Sequence, residues 1–305
     1  MKQKQTDSLG DRMKAYEAIT RTFLIPKLHT IIRLDGKAFH TYTKKFKKPF
    51  DDDLINAMDE AAKYLCGTIQ GAKFAFVQSD EISIYLSDRD TLETQMWYDG
   101  NVQKMVSVSA SKATAKFNHL MFIKTLESIT KIKEDTLSPY YNRIDLEDIL
   151  KPMPLAEFDS RVFQLPNEEE VVNCMLWRQQ DTIRNSISSV AQSNFSHGGK
   201  NSELHGVNTG MMIEKLAKEK GIDFYKDFSL KLQQGRFIQK NTYVNGKMIY
   251  PVAVGGYYKP ESYSHESFIK RIEDSDKVRS KWESVECPKF NEQREFILYK
   301  LQPND

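Results

Sequence analysis

The chain has 305 residues, enough for one large domain or for two smaller ones. Hydrophobic residues make up 40% and charged residues 28%, a balance that is typical of globular proteins and excludes a disordered or fibrous class. The 44 basic and 42 acidic side chains leave a net charge of +2, so overall charge gives no argument for nucleic-acid binding. No apolar run is long enough to span a bilayer, and we expect a cytoplasmic protein without a membrane partner.

Apolar residues that recur at helical or strand spacing predict alternating helices and strands up to Asn194. Helices are predicted over Asp11–Thr22, Leu54–Ile69 and Val102–Phe117, and from a cap at Asn167 to about Asn194. Strands are predicted over Thr30–Leu34, Lys73–Val77, Ile82–Leu86 and Phe158–Leu165. The stretch Ile123–Pro154 is polar and irregular, so we expect loops and short helices there.

The rest of the chain carries weaker patterns. A short helix is predicted between Asn208 and Gly221, and a strand pair over Arg236–Tyr250 with its turn at Asn245-Gly246. Glu261–Asp305 is mixed in charge, and we expect an appended helical segment. The predicted organisation is therefore a catalytic region at residues 1–260 and a C-terminal helical extension at 261–305.

Two acidic turns hold the chemistry that the residues themselves indicate. Asp35 follows one predicted strand, and Asp80 lies at the tip of a predicted hairpin. If these strands are neighbours, both carboxylates emerge at one rim, where they repel each other unless a cation lies between them. Mg²⁺ prefers such oxygen ligands, and Gly36 adds a backbone carbonyl that a cation can approach closely. Two ions about 3.5–4 Å apart would support nucleotidyl transfer.

Each turn taken alone is more often an ordinary polar turn. Their order along the chain is strand, Asp-Gly, helix, then a second helix and a Ser-Asp hairpin, which is the order of a polymerase-type palm. We therefore predict an α+β fold, a palm-like (ferredoxin-like) antiparallel sheet flanked by helices, with additional helices and a C-terminal extension.

Several ordered motifs resemble those of the tRNA-His guanylyltransferase family. They are Asp7–Glu17, Ile31–Thr43, Lys47–Met58, Val77–Ile84, Phe158–Phe163, Trp177–Ser189 and Ser196–Thr209. The resemblance spans roughly residues 7–245 and depends on the order of the motifs, so it is more specific than any one of them. The stretch Thr182–Ser189 is similar to the bacterial and phage branch, whose members resemble template-dependent repair polymerases rather than enzymes that add a single guanosine.

The resemblance implies a reverse polymerase, which adds nucleotides to the 5′ end of a transfer RNA in the 3′-to-5′ direction. A nucleoside triphosphate first activates the 5′ phosphate, and the 3′-hydroxyl of the incoming nucleotide then displaces the activating group. The implied substrates are GTP, ATP and other nucleoside triphosphates, the implied cofactor is a pair of Mg²⁺ ions, and the implied assembly is a homotetramer.

The resemblance also assigns roles to residues. Asp35 and Asp80 would be catalytic metal ligands through their carboxylates, and Gly36 would be a ligand through its carbonyl. Lys48 and Asp51 would help the activation step. The nucleotide would contact Asp35, Gly36, Lys37, Ala38, Phe39, His40, Ser79, Asp80 and Lys104.

Contacts to RNA are predicted for Arg178, Asn185 and Lys200. Arg178 and Asn185 fall at helical spacing on one long predicted helix, where a hydrogen-bonded network between elements is an equal alternative to a surface that faces RNA. Lys200 follows two glycines in the segment before the predicted helix at Asn208.

Two other functions remain open. A cyclase or signalling-nucleotide synthase with a palm would use the same two aspartates on a free triphosphate and form a cyclic or signalling product without RNA. A non-catalytic RNA-binding protein could retain the fold, although the presence of Asp35, Gly36 and Asp80 argues against it.

Overall fold

The computed structural model describes residues 8–134, 154–196, 202–244, 247–248 and 278–301. Its helices are α1 Ser8–Ala18, α2 Phe39–Tyr42, α3 Asp52–Thr68, α4 Val102–Glu134, α5 Glu168–Asn194, α6 Thr209–Lys215, α7 Phe224–Asp227, α8 Leu230–Gln234 and α9 Glu295–Leu301. Its strands are β1 His29–Gly36, β2 Ala72–Gln78, β3 Glu81–Leu86, β4 Phe158–Leu165, β5 Arg236–Val244, β6 Lys247–Met248 and β7 Val278–Glu286. None of these helices is both long enough and apolar enough to cross a membrane.

The strands form one antiparallel sheet in the order β4-β1-β3-β2-β5-β6, with β7 paired to β5. The predicted α+β class is confirmed. β1 lies between β3 and β4, so both of its edges are hydrogen-bonded. The catalytic candidates on β1 therefore lie inside the sheet, not at its edge.

Helices cover both faces of the sheet. Alternate residues of β1 point to opposite faces, and Ile32 and Leu34 belong to the core under α3 and α4, whereas Ile31 belongs to the core under α5 and α9. The first core also contains Met58, Ala61, Leu65, Met105, Phe117 and Met121. The second contains Phe74, Phe76, Tyr85, Val171, Met175, Phe237 and Ile297. Since both faces are buried, the strands read as nearly continuous apolar runs.

The long helix α5 begins as predicted, because the side chain of its cap Asn167 accepts the backbone N–H of Glu170 at 2.9 Å. The second half of α5 packs against α6 and α7, around a smaller core with Ile187, Val190 and Leu216. The predicted helix between Asn208 and Gly221 is α6 with its short continuation to Lys220. α5 thus joins the sheet to this group of shorter helices.

Helix α4 is longer than the sequence predicts. It continues from Val102 to Glu134, through a stretch that we expected to form loops and short helices. Its second half is largely exposed, with Phe122, Ile123 and Leu126 among the exposed side chains, so its apolar residues do not mark a single buried face. Residues 135–153 lie outside the described part of the chain.

The C-terminal segment also differs from the prediction. Val278–Glu286 is a strand that pairs with β5 along nine residues, and only Glu295–Leu301 is helical among its described residues. The expectation of a wholly helical extension is therefore wrong. Charged side chains along β7 concealed the strand pattern, and charge of this kind is common on sheet edges. The predicted strand pair around Asn245-Gly246 is present as β5 and β6, whereas the two turn residues lie outside the described chain.

Candidate active site

The two predicted acidic turns meet at one end of the sheet. β1 and β3 are antiparallel neighbours, with Asp35 opposite Glu81. The backbone N–H of Gly36 donates a hydrogen bond to the carbonyl oxygen of Asp80 at 3.1 Å. Asp35 and Asp80 are therefore neighbours along the backbone at this sheet end, and the charge of Asp35 contributes to the raised pKa of the Asp80 carboxyl group.

Asp35 is the middle member of a row of three acids. Asp159 of β4 lies opposite it on one side, and Glu81 of β3 lies opposite it on the other. Opposite residues in antiparallel strands share a face, with Cβ atoms about 4.5–5.5 Å apart. Asp159 pairs with Arg161 at 3.5 Å, and Glu81 pairs with Arg178 at 2.7 Å. Asp35 forms no ion pair within the described residues.

The electrostatics of Asp80 favour a cation. Burial raises the pKa of its carboxyl group above the usual range, and the charges of Asp35 and Glu81 raise the pKa further, while a hydrogen bond from the Ser79 side chain lowers it. Asp80 also lacks an ion pair among the residues that the structure describes. Lys37, the basic residue that follows Gly36, is instead bound to Glu157 at 2.5 Å.

A hard divalent cation fits this donor set. Asp35 and Asp80 offer carboxylate oxygens that repel each other in the absence of positive charge. The described residues contain no group of three or more His, Cys, Asp or Glu side chains that could hold a metal. A site with two carboxylates would leave coordination positions for phosphate and water, as Mg²⁺ prefers.

The structure gives Gly36 a packing role that the sequence did not indicate. A Cβ atom at this position would lie 2.2 Å from Cδ2 of Phe39. Phe39 is buried, with ring centroids 5.6 Å from Phe117 and 5.2 Å from Phe158. Its side chain is thus part of the core, and Phe39 can contact a nucleotide only through its backbone.

The residues that follow Gly36 form an exposed turn. Ala38 adopts a left-handed conformation with φ 52° and ψ 37°, which is uncommon for a residue with a Cβ. The backbone N–H of Lys37 donates to the carbonyl of Glu157 at 2.8 Å. Lys37, Ala38 and His40 are exposed in this turn, which follows Asp35 and Gly36 directly.

Asp51 has a local structural role. It caps α3, and its Oδ1 accepts the backbone N–H of Leu54 at 3.0 Å. Its Oδ2 accepts the backbone N–H of Lys47 at 3.1 Å. Lys48 is exposed in the same loop. Both oxygens of Asp51 therefore already accept a backbone N–H, and any catalytic role would be in addition to this structural one.

Lys104 is not placed with the other predicted nucleotide contacts. It lies in the first turn of α4, whose first residue donates its backbone N–H to the segment that precedes β1 at 3.0 Å. The residue of α4 that lies beside Gly36 is Thr114. Its hydroxyl accepts the backbone N–H of Phe158, and Phe158 pairs with Gly36 across β4 and β1. The roughly 10 helical residues in between correspond to about 15 Å. A single chain therefore does not bring Lys104 to this site.

The predicted RNA contacts have three different outcomes. Arg178 is 6% exposed and lies between α5 and the sheet, so the structure contradicts its assignment to an RNA-facing surface. The reason is that its guanidinium is held by Glu81 inside the protein. Asn185 is exposed on α5, and Lys200 lies outside the described residues.

Comparisons with known proteins identify the same family as the sequence motifs. The sequence model of the tRNA(His) guanylyltransferase family matches residues 10–166, about half of the chain. The chain belongs to the tRNA(His) guanylyltransferase family. As a member of this family it is a nucleotidyltransferase.

Two curated relatives each match about 70% of this chain. The enzyme of Schizosaccharomyces pombe is 27% identical over 220 residues, which are 70% of this chain and 73% of the relative. An uncharacterised protein of Acanthamoeba polyphaga mimivirus is 28% identical over 230 residues, which are 71% of this chain and 72% of the relative.

Solved structures extend the likeness to nearly the whole chain. A bacterial tRNA(His) guanylyltransferase-like protein in complex with ATP is 37% identical, with a TM-score of 0.71, and the match covers 97% of this chain and 100% of that protein. One in complex with GTP is 34% identical, with a TM-score of 0.66 and the same coverage. The palm-like fold predicted from the sequence is confirmed by these neighbours.

In this tRNA(His) guanylyltransferase family member, the sequence did not indicate that Glu81 and Arg178 form a buried ion pair. Glu81 follows Asp80 directly, and its carboxylate bonds to Arg178 from a position 97 residues away in the chain. The signal that could have found the pair is an acidic residue beside a metal-ligand candidate, together with an arginine on the apolar face of a long helix. Buried charge of this kind requires a partner.

Proposed function

We propose that this chain adds nucleotides to the 5′ end of a transfer RNA in the 3′-to-5′ direction, guided by a template strand. The observation that carries the proposal is the pair Asp35 and Asp80, which lie together at a sheet end and lack a cationic partner among the described residues. In a nucleotidyltransferase family, such a pair is suited to holding cations against a triphosphate.

Two Mg²⁺ ions would be held by the carboxylates of Asp35 and Asp80 and by the backbone carbonyl of Gly36. When bound, they neutralise phosphate charge and favour ionisation of an attacking hydroxyl group. The raised pKa of Asp80 supports this assignment, because a carboxylate that is costly to ionise alone gains most from a nearby cation.

The exposed turn after Gly36 would position the triphosphate. Lys37 and His40 offer side chains, and Ala38 and Phe39 offer backbone N–H groups. Ser79 lies beside Asp80 in a left-handed conformation with φ 41°, which leaves its side chain exposed near the same place. These contacts would hold the reacting phosphorus next to the acidic pair.

The reaction would proceed in two displacements. A 5′-phosphate oxygen of the RNA attacks the α-phosphorus of ATP or GTP, pyrophosphate leaves, and the RNA gains an activated 5′ end. The 3′-hydroxyl of the incoming triphosphate then attacks the 5′-phosphorus, and the activating nucleoside monophosphate leaves. By the family resemblance, Lys48 and Asp51 would assist the first displacement, and both lie in the loop at the start of α3.

The specificity that we propose is broader than addition of one guanosine to one transfer RNA. The likeness to bacterial proteins in complex with ATP and with GTP supports the use of more than one triphosphate. The similarity of Thr182–Ser189 to the bacterial and phage branch supports repair of shortened 5′ ends. Assembly as a homotetramer belongs to the same proposal and is tested by light scattering coupled to gel filtration.

The decisive experiment supplies 5′-shortened transfer RNAs and each labelled triphosphate in turn, with Mg²⁺. We expect label to enter the RNA at its 5′ end. The nucleotide that is incorporated should be the one complementary to the base opposite the missing position. The matched controls are Asp35→Asn and Asp80→Asn. Conversion of free triphosphate to a cyclic product would show a cyclase instead, and RNA binding without any incorporation would show a non-catalytic binding protein.

A further inference from the structure

Helix α5 holds both residues that flank the Ser79–Asp80 turn. The Arg178 guanidinium donates to the Glu81 carboxylate at 2.7 Å, directly after the turn. The Thr182 hydroxyl bonds to the side chain of Gln78, directly before it. Arg178 and Thr182 are one helical turn apart, so a single face of α5 fixes both strands at the base of the turn that carries Asp80.

Glu81 is a third carboxylate at the same end of the sheet. It follows Asp80 in sequence and lies opposite Asp35 across the β1–β3 pair. It is 8% exposed, and its second oxygen accepts the Ser83 hydroxyl at 3.3 Å. Glu81 shares a face of the sheet with Asp35, and hydrogen bonds from Arg178 and Ser83 hold its carboxylate on that face.

Three contacts fix the guanidinium of Arg178. Besides Glu81, it donates to Asp181 at 3.1 Å, and it lies over the Trp177 ring at 3.8 Å from the centroid. Arg178 is buried, so these contacts act at low local dielectric, where a charged hydrogen bond is strong. The arginine is held in one place and holds Glu81 with it.

We propose that Arg178 is a positioning residue that keeps Glu81 out of the cation site, so that the site has two carboxylate ligands and not three. The inference depends on the proposed metal site at Asp35 and Asp80. A third carboxylate would bind the cation more tightly and occupy a coordination position that a phosphate oxygen needs. Arg178 thereby sets the affinity and the open positions of a centre that it does not touch.

The test has two readouts. The first is the affinity for Mn²⁺ without substrates, titrated by electron paramagnetic resonance of the free ion, and the second is turnover. The variants are Arg178→Met, Glu81→Gln and the double variant that carries both changes. Arg184→Met is the matched control, because Arg184 lies on the same helix and binds the same Asp181, at 2.8 Å, but is exposed and does not contact Glu81. Asp80→Asn reports on the metal site itself.

We expect Arg178→Met to bind Mn²⁺ roughly 10-fold more tightly than the wild type while turnover falls, and the other three arginine and glutamate variants to stay within about 2-fold of wild-type affinity. The return to wild-type affinity in the double variant shows that the tighter binding requires the Glu81 carboxylate. A purely structural role for Arg178 would not tighten metal binding.

Two outcomes overturn the inference. One is unchanged or weaker Mn²⁺ binding in folded Arg178→Met, and the other is a loss of affinity in Glu81→Gln as large as that in Asp80→Asn, which would make Glu81 a ligand of the wild-type site. If circular dichroism shows Arg178→Met unfolded, Arg178→Gln takes its place, and unchanged or weaker Mn²⁺ binding in that variant overturns the inference. Wild-type binding by Asp80→Asn would instead refute the proposed metal site.

Discussion

The backbone N–H of Gly36 donates to the carbonyl of Asp80 at 3.1 Å, one residue beyond the point where Asp35 lies opposite Glu81. This bond closes the sheet end on which both aspartates lie. Like charges that are fixed so close together cost stability unless positive charge is supplied. The consequence can be measured as both a loss of turnover and a gain of stability.

Asp80→Asn and Asp35→Asn should each lower nucleotide addition by more than about 100-fold, since each would remove a metal ligand. Without metal, Asp80→Asn should be more stable than the wild type. Burial and the charges of Asp35 and Glu81 raise the pKa of Asp80, so the folded protein binds that proton more tightly than the unfolded chain does. The wild type therefore loses stability as pH rises through the raised pKa, whereas Asp80→Asn does not.

The measurement is the melting temperature in metal-free buffer across a pH series. The difference between Asp80→Asn and the wild type should be small at acid pH and should grow toward neutral pH, by roughly 2–4 °C for each 1 kcal/mol. Added Mg²⁺ should reduce the difference. A wild type that is as stable as Asp80→Asn at neutral pH without metal would contradict the account of the charges.

The sequence predicted those parts of the site that local patterns encode. β1 and the β2–β3 hairpin are visible because buried residues repeat along each strand, and Asp35 and Asp80 follow directly from turn signals. The prediction failed where the outcome depends on distant partners. The pattern could not decide between a buried network and an RNA-facing surface for Arg178, because its partner Glu81 is 97 positions away. β7 was not recognised because charged side chains interrupt its apolar residues, and what makes it a strand is its backbone pairing with β5, a distant part of the chain.

Substitutions at Asp51 should separate its capping role from a chemical one. Asn can keep the cap to Leu54 through its one amide oxygen but cannot also accept the N–H of Lys47, so Asp51→Asn should lose less stability than Asp51→Ala, which should lose about 1 kcal/mol. If the carboxylate assists activation, Asp51→Asn should be slow on RNA with a 5′-monophosphate and close to the wild type on RNA with a 5′-triphosphate, which already carries a leaving group. Equal rates for Asp51→Asn and the wild type on both substrates would leave Asp51 with the cap alone.

Gly36→Ala should overpack the core next to Asp35. The added Cβ would meet the Phe39 ring at 2.2 Å, and such overpacking costs about 1–3 kcal/mol. Turnover should fall with it, because the strain arises one residue from a proposed ligand. Phe39→Leu in the same chain should recover part of the stability measured in urea.

The matched glycine for this prediction is Gly67 in α3, where a Cβ would lie 3.5 Å from the Trp282 ring, an ordinary contact. Gly67→Ala should stay within about 1 kcal/mol of the wild type, and helix propensity favours alanine there. If Gly36→Ala were as stable as Gly67→Ala, the Phe39 ring would have to move freely, and its role in fixing the turn would be refuted.

A buried ion pair ties the C-terminal strand β7 to the catalytic sheet. Asp59 of α3 accepts Arg236 Nε at 2.5 Å and the Ser284 hydroxyl at 2.6 Å, so one carboxylate joins α3, β5 and β7. Asp59→Ala leaves Arg236 buried and unpaired and should cost about 3–5 kcal/mol in urea unfolding. The neighbouring Glu60→Gln breaks only an exposed pair with Lys63 and should cost no more than about 1 kcal/mol.

The double variant Asp59→Ala with Arg236→Met tests the cause of this loss. Because both buried charges are then absent, it should be more stable than Asp59→Ala alone, and amide exchange in β7 should slow toward the wild-type rate. A double variant that is as unstable as Asp59→Ala would mean that lost packing, not the uncompensated guanidinium, accounts for the effect. An Asp59→Ala protein as stable as Glu60→Gln would mean that β7 is held to the sheet by its backbone pairing with β5 alone.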